Sequence, residues 1–191
     1  MAGPHDLLLE RIAGGDENAL SELYDVFHQR VYNTALGFLQ HVEDAEEITQ
    51  DVFVEIYRSA GRFQGNSSVS TWIYRIAVHR CLDRLRYKKR KRRFAFFSSL
   101  MGMNVPDPPD FEDPGVQMEK RENARILYKA IDTLPATQKT AFLLSFVEDL
   151  PRQEIADIMQ VSLKALESLL QRAKANLRKN LDPYYPGRRK S

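Results

Sequence analysis

Residues 150–178 carry the pattern that most constrains how this chain can fold. Pro151 suits the first turn of a short helix over residues 152–159, and Ser162 suits the N-cap of a longer helix beginning at Leu163. Because the turn between them lacks a glycine, Gln160 has to take a left-handed or strained conformation. Two short amphipathic helices joined by a tight turn predict a helix-turn-helix.

Both helices have an apolar face, and the second also has a polar, largely basic face. Ile155, Ala156 and Met159 share an apolar face of the first helix. The second has an apolar seam at helical spacing, formed by Leu163, Leu166, Leu170, Ala173 and Leu177. Its opposite side carries groups that read base edges and bind phosphates, namely Lys164, Glu167, Ser168, Gln171, Arg172, Lys174 and Arg178. On spacing alone, an ordinary αα-hairpin remains an alternative to a DNA-reading motif.

Charge is unevenly distributed along a nearly neutral chain. The 191 residues are 43% hydrophobic and 28% charged, which suffices for a buried core, and the formal net charge is +2. Residues 84–93 are strongly basic, whereas residues 105–114 contain acidic side chains and no base. This asymmetry indicates a polyanionic partner that is bound at defined places.

Composition also excludes several classes of protein. Cys81 is the single cysteine, so an internal disulfide is impossible and a reducing cytosol is expected. The histidines show no metal-ligand spacing, and no phosphate-binding loop, dinucleotide fingerprint or nucleophile elbow is present. The sequence also lacks an apolar run of membrane-spanning length and a signal peptide. We therefore expect a cytoplasmic protein with no catalytic residue, no metal, no cofactor and no small-molecule substrate.

The first half of the chain predicts two amphipathic helices. Asp16 should cap a long helix to about residue 39, whose core stripe comprises Leu20, Leu23, Tyr24, Phe27, Val31, Ala35 and Leu39. Asp44 should cap the next, to about residue 58, with Ala45, Ile48, Val52 and Ile56 facing inward. Its far side carries Glu47, Gln50, Asp51 and Val54. That acidic side suits a basic protein surface, and a merely solvated face is the alternative.

An aromatic loop then leads into a helix with a basic end. Residues 61–70 are mostly small and polar, interrupted by Phe63, and Ser70 can cap a helix that reaches residue 93. Its buried side should include Ile73, Ala77, Cys81 and Leu85, and a second stripe carries Arg75, His79, Arg86 and Arg90. Phe63, Trp72 and Tyr74 could stack on unpaired bases beside this basic stripe. The alternative is that Trp72 and Tyr74 belong to the core and the basic run is a flexible tail.

Proline and acidic residues separate two helical domains. Residues 94–116 contain four prolines and no helical period, so we expect a flexible acidic linker. Helical periodicity returns over residues 117–133 and 136–146, before the helix-turn-helix. Strand signals are absent, which predicts an all-α fold with domains over residues 1–93 and 119–181, a linker over 94–118 and a disordered tail over 182–191.

The ordered succession of these blocks resembles the bacterial sigma-70 superfamily, specifically its extracytoplasmic-function (ECF, group IV) branch. The resemblance runs from Leu7 to about Leu181. The blocks that carry it are GDENALSELYDVFHQRVYNTA, DAEEITQDVFVEIYR, STWIYRIAVHRCLD, LPATQKTAFLLSFVEDL and EIADIMQVSLKALESLLQRAKANLRK. It implies a dissociable specificity subunit that binds core RNA polymerase, recognises the promoter −35 and −10 elements, and helps to open the duplex.

The resemblance implies a role for each surface. A sigma2-like domain would dock on the β′ clamp helices of the polymerase through Asp44, Glu47, Gln50, Asp51 and Val54. The same domain would hold a flipped base and the separated −10 strand through Phe63, Asn66, Ser67, Trp72, Tyr74, Arg75, His79, Asp83 and Arg86. A sigma4-like domain would bind the β flap and read the −35 major groove through Lys164, Glu167, Ser168, Gln171, Arg172 and Lys174. The acidic linker would thread toward the polymerase active-site cleft, and an anti-sigma factor is a further expected partner.

The chain departs from the family pattern at the start of the recognition helix and at two positions of the preceding domain. Many relatives open the recognition helix with Gly-Thr-Val and a basic residue, whereas this chain has Lys164-Ala165-Leu166 followed by Glu167. Glutamate accepts a hydrogen bond from cytosine N4 but repels phosphate, so the −35 preference should differ from that of those relatives. His79 and Asp83 replace amides of some relatives, and the −10 preference should differ as well.

Two other classes of protein compete with this interpretation. A stand-alone helix-turn-helix repressor or activator would account for residues 150–178 but leaves the acidic helix, the aromatic loop and the linker unexplained. A DNA-processing enzyme such as a recombinase needs a nucleophile or metal-binding carboxylates near the helix-turn-helix, and we find none in the sequence.

Overall fold

The computed structural model describes residues 5–100 and 118–184, with side chains described for residues 5–93 and 122–184. Every regular element in these ranges is helical, which confirms the predicted all-α class. The helices are α1 (Asp6–Ala13), α2 (Glu17–Leu39), α3 (Val42–Ser59), a 3-10 turn (Ala60–Arg62), α4 (Val69–Leu100), α5 (Met118–Asp132), α6 (Ala136–Phe146), α7 (Arg152–Met159) and α8 (Leu163–Leu181). The described residues form two compact units, α1–α4 and α5–α8.

The start of α2 follows the prediction. The Asp16 carboxylate accepts hydrogen bonds from the backbone N–H groups of Asn18, at 2.9 Å, and Ala19, at 3.2 Å. The Arg11 guanidinium lies 2.8 Å from the same carboxylate, and this hydrogen bond lowers the pKa of Asp16. The cap therefore joins the end of α1 to the start of α2.

Two predicted helix starts are wrong. His41 is the N-cap of α3, so Asp44 lies within the first turn, where its side chain turns toward α4. Ser68, not Ser70, caps α4, because its hydroxyl accepts a hydrogen bond from the Thr71 N–H at 3.0 Å. In both cases the chain enters the helix earlier than expected.

The far end of α4 also differs from expectation. The helix continues to Leu100, beyond residue 93, where we expected it to end. Residues 101–117, which make up most of the predicted linker, and residues 185–191 of the predicted tail lie outside the described residues.

The core of the first unit lies where α2, α3 and α4 pack together. Phe27, Val31, Val52, Ile73 and Cys81 are all buried there. Tyr24 was predicted to be core but is 43% exposed, because it lies at the edge of the α2 stripe and stacks on His28. Phe38, absent from the predicted stripe, is buried instead.

The second unit contains the predicted helix-turn-helix. Gln160 adopts the expected left-handed conformation, with φ 54°, and the Ser162 hydroxyl accepts a hydrogen bond from the Ala165 N–H at 3.2 Å. Leu166 and Leu170 are buried, as are Ala173 and Leu177, but Leu163 is 43% exposed. Its place in the seam was therefore wrong, because a side chain in the first residue of a helix points past the packed turn.

Polar contacts hold α8 against its neighbours. The Asn176 amide donates to the Gln138 carbonyl oxygen on α6 at 2.8 Å. Near the end of α8, the Asn180 amide donates to the Thr133 hydroxyl at 2.6 Å. Together with the buried seam of α8, these two contacts determine which side chains the helix presents outward.

Candidate nucleic-acid interface

The outer face of α3 presents the predicted acidic patch. Glu47, Gln50, Asp51 and Val54 are exposed, and Val54 retains 47% of its surface. Asp44 does not belong to this patch, since its side chain is only 12% exposed and pairs with α4. The exposed set therefore combines negative charge, an amide and an apolar side chain on one side of the helix.

Three cations of α4 pair with carboxylates of α3. Arg80 lies 2.7 Å from Glu55, Arg84 pairs with both Asp44 and Glu47, and Lys88 pairs with Asp44. Residues with higher numbers in α4 pair with residues with lower numbers in α3, so the two helices run antiparallel. The sequence shows one signal for these pairs, three cations at intervals of four residues, but it does not show which carboxylates they contact.

The hydrogen bond with Glu47 is the main cause of a raised pKa at Arg84. Burial opposes this shift, and the charges of Glu47, Asp44 and Asp51 add to it. A groove along this ion-paired seam is lined by Glu47, Ile48, Asp51, Arg80, Asp83, Arg84, Tyr87 and Arg90.

The loop before α4 brings an aromatic ring onto the helix. The ring centroids of Phe63 and Trp72 lie 5.4 Å apart, with the planes tilted by 57°. Asn66 is exposed and donates to Gln64 at 3.1 Å, and the Arg75 guanidinium donates to the Ser67 hydroxyl at 3.5 Å. The loop thus presents polar groups next to a partly exposed aromatic pair.

One side of α4 carries most of the predicted strand-binding residues. At about 100° per residue, Trp72, Arg75, His79, Asp83 and Arg86 fall on one stripe. His79 and Asp83 are exposed, and Arg86 donates to Asp83 at 2.7 Å.

Tyr74 does not belong to that stripe. It lies about 200° around the helix from Trp72 and is only 1% exposed. We therefore correct its assignment from a strand-facing residue to a core residue.

The outward face of α8 is polar and basic. Lys164, Glu167, Gln171 and Arg178 are exposed. Ala175 lies among them and is also exposed, which sequence analysis missed because a small apolar residue carries no polar signal.

Two predicted residues of this helix make internal contacts. The Arg172 guanidinium donates to the carbonyl oxygen of Ser168 at 3.2 Å and to its hydroxyl at 3.1 Å. Lys174 lies at the edge of the face, with its ammonium 4.8 Å from the centroid of the Phe146 ring on α6. Both side chains remain exposed.

The described part of the chain offers no cluster of three or more His, Cys, Asp or Glu side chains that could hold a metal ion. Within those same residues, none of the helices combines the length and apolar character that crossing a membrane requires.

Two family models match separate parts of the sequence. The model for sigma-70 region 2 matches residues 23–91, and the model for sigma-70 region 4 matches residues 124–177. The first match covers most of α2 to α4, and the second contains α7 and most of α8.

Full-length relatives are similar along most of the chain. The ECF RNA polymerase sigma factor SigW of Bacillus subtilis is 26% identical over 91% of this chain and 94% of its own length. The ECF RNA polymerase sigma-E factor of Haemophilus influenzae is 28% identical over 92% of this chain and 94% of its own. The RNA polymerase sigma-H factor of Pseudomonas aeruginosa is 27% identical, with 92% and 93% covered.

Solved structures share the fold. CnrH in complex with the cytosolic domain of CnrY gives a TM-score of 0.69 at 19% identity, covering 95% of this chain and 99% of that one. The sigma factor RpoE of Bartonella quintana, in complex with the anti-sigma factor NepR, gives 0.59 at 16% identity, covering 85% and 96%.

The helical fold and the two family matches define a transcription factor built of two units. The chain belongs to the sigma-70 family, in its ECF branch, and it functions as a sigma factor in transcription initiation. Sigma factors bind core RNA polymerase and promoter DNA, and the stand-alone repressor or activator is not favoured.

Proposed function

We propose that the acidic face of α3 docks on the clamp helices of the β′ subunit through Glu47, Gln50, Asp51 and Val54. The carboxylates of Glu47 and Asp51 lie on the same face as the exposed Val54. This combination suits a basic protein surface that also has an apolar patch. Asp44 is excluded from this contact because α4 already holds its carboxylate.

The loop before α4 and the stripe along α4 would bind the separated −10 strand. Phe63 and Trp72 supply aromatic surface, while Asn66 and Ser67 supply hydrogen-bonding groups for a flipped base. Stacking contributes about 1–3 kcal/mol per base, which offsets the few kcal/mol that flipping costs. The remaining stripe, Arg75, His79, Asp83 and Arg86, would then contact the strand beyond this base.

The outward face of α8 would read the −35 element in the major groove. Lys164, Glu167, Ser168 and Gln171 lie toward the start of the helix, the part that reaches base edges in helix-turn-helix proteins. Arg172 and Lys174 would add phosphate contacts, and another surface of this unit would bind the β flap. Because two linked units bind two elements, weak single contacts combine into a useful affinity.

The two domains of the chain would divide promoter recognition between them. A polymerase-binding and −10 domain that ends with α4 at Leu100 would be joined through an acidic linker to a −35 domain that begins with α5 at Met118, followed by a tail over 182–191. The acidic linker would enter the active-site cleft. The protein would act in the cytoplasm, without catalytic activity of its own and without a cofactor.

An anti-sigma factor is a further proposed partner. The related structures of CnrH and of Bartonella quintana RpoE contain a bound partner chain, and NepR is named as an anti-sigma factor. The bound partners in those two structures support an anti-sigma factor for this chain. Copurification with this chain would identify it.

The observation that carries the proposed docking is the exposed acidic face of α3 in the unit that also presents the aromatic loop. A stand-alone operator-binding protein has no need of such a face. The test is binding of the labelled full-length chain to bacterial core RNA polymerase. Asp51→Lys should weaken binding at least tenfold, because a charge at the contact is reversed.

The matched control is Asp25→Lys, which makes the same charge change at an exposed position of α2. It should leave the affinity for core polymerase nearly unchanged. Equal losses for both variants would show that net charge, and not the α3 face, determines binding. Tight duplex binding with no affinity for core polymerase would favour the repressor or activator instead.

A further inference from the structure

Arg84 occupies a position between two carboxylates that differ in exposure. Its guanidinium lies 3.3 Å from Asp44, whose side chain is 12% exposed, and also pairs with Glu47, whose side chain is 59% exposed. The Arg84 side chain itself is 19% exposed. One partner is therefore inside the α3–α4 seam, and the other lies at the surface that we propose for docking.

The inner partner does not depend on the outer one. Asp44 also pairs with Lys88. If Glu47 turned outward to another cation, Arg84 would keep Asp44 as a partner. The surface pair can therefore separate without leaving a buried charge unpaired, which would carry a large penalty.

We propose that Arg84 is an internal competitor of core RNA polymerase for the Glu47 carboxylate, and that it lowers the affinity of the free chain for the polymerase. This inference rests on the proposed docking through α3. Any basic group that approaches Glu47 meets a carboxylate already neutralised by Arg84, and it is repelled by the same guanidinium. In the sequence, Arg84 is only the first residue of the basic run.

Replacement of Arg84 distinguishes competition from a structural role, because the two predict opposite changes in the affinity for core polymerase. Replacing Arg84 with Gln removes the internal cation and leaves Asp44 paired with Lys88. The acidic face of α3 then becomes more negative, and its attraction for a basic surface increases. If Arg84 instead held α3 in the docking conformation, the same replacement would weaken binding.

The experiment is a double-mutant cycle with the full-length chain and bacterial core polymerase, using equilibrium binding at about 0.1 M salt. The variants are Arg84→Gln, Glu47→Gln and the double variant. Arg84→Gln should tighten binding roughly two- to fivefold, the range that a partly exposed ion pair supports. In the Glu47→Gln background, the second replacement should change affinity by less than about 1.5-fold.

Arg80→Gln is the matched control, because it removes the same charge from α4 and breaks another pair with α3, to Glu55. It should not tighten binding. Weaker or unchanged binding by Arg84→Gln, or equal tightening by Arg80→Gln, would overturn the inference.

Thermal unfolding of each variant verifies the fold. If Arg84→Gln unfolds, Arg84→Met, which keeps more apolar packing, replaces it in the same cycle. A wild-type chain that fails to bind core polymerase overturns the proposed docking, and this inference with it. A wild-type chain that binds while Arg84→Gln does not tighten overturns the inference alone.

Discussion

The ring of Phe63, in the loop before α4, packs against the ring of Trp72, one turn inside α4, with 5.4 Å between centroids. A tilted aromatic pair of this kind contributes about 0.5–1.5 kcal/mol beyond its buried area. The pair joins the loop to the helix, so the loop is anchored beside the stripe that we propose for the −10 strand.

Phe63→Ala should therefore slow transcription from duplex promoters by about tenfold, since a base loses its stacking surface. Transcription from a template with a pre-melted −10 region should fall less. Phe63→Leu is the matched variant, because it keeps apolar packing without an aromatic face. Equal losses on duplex and pre-melted templates, for Phe63→Ala or for Trp72→Ala, would indicate a structural role instead.

Substitutions of Asp44 and Asp51 should have different effects, the first on the stability of the fold and the second on binding to core polymerase. Asp44→Ala removes the carboxylate that pairs with Lys88 and leaves Arg84 paired with Glu47 alone, so the free energy of unfolding should fall by about 1–3 kcal/mol. Asp51→Ala alters an exposed position and should change stability by less than about 0.5 kcal/mol while weakening polymerase binding. Denaturant unfolding and core-binding assays measure both effects. The assignment fails if Asp44→Ala keeps full stability and loses docking.

Two residues of α8 should affect promoter binding in different ways. Gln171→Ala should change the preference at one −35 base pair by about 1–3 kcal/mol, since a bidentate reader is lost. Arg178→Gln should weaken binding to all sequences and reduce the salt slope by about one unit, as expected for a lost phosphate contact. Binding of the holoenzyme to a promoter library at several salt concentrations distinguishes them. A sequence-specific effect of Arg178→Gln would reverse the two roles.

Tyr128 should make the second unit sensitive to alkaline pH. Burial, followed by the charge of Glu148, raises the pKa of Tyr128 above its ordinary value of 10.0. The unfolded chain ionises this phenol first, so the stabilising contribution is complete below about pH 10 and declines as pH rises through the raised pKa. Tyr128→Phe should flatten this decline in unfolding experiments. A Tyr128→Phe variant whose stability declines with pH as steeply as that of the wild-type chain would contradict the assignment.

Local signals in the sequence were sufficient for much of the fold. The apolar period of α8, the cap at Ser162 and the left-handed turn at Gln160 all depend on residues close in sequence, and the structure has all three except for Leu163 at the start of the seam. The family was likewise recognisable from the order of its blocks.

Features that depend on packing between helices could not be predicted from the sequence. Asp44 looked like an N-cap because acidic residues favour that position, but Arg84 and Lys88 hold its carboxylate in the seam. Tyr74 is different, because helical spacing alone already placed it opposite Trp72. Its aromatic ring suggested stacking on bases, but its position on the helix places it in the core.

The most direct test of sigma function is run-off transcription on fragmented genomic DNA, using bacterial core polymerase with and without this protein. We expect new, discrete start sites that appear only with the protein and share −35 and −10 elements upstream. If the protein binds duplex DNA tightly but yields no new start with core polymerase, the assignment of this chain as a sigma factor is contradicted.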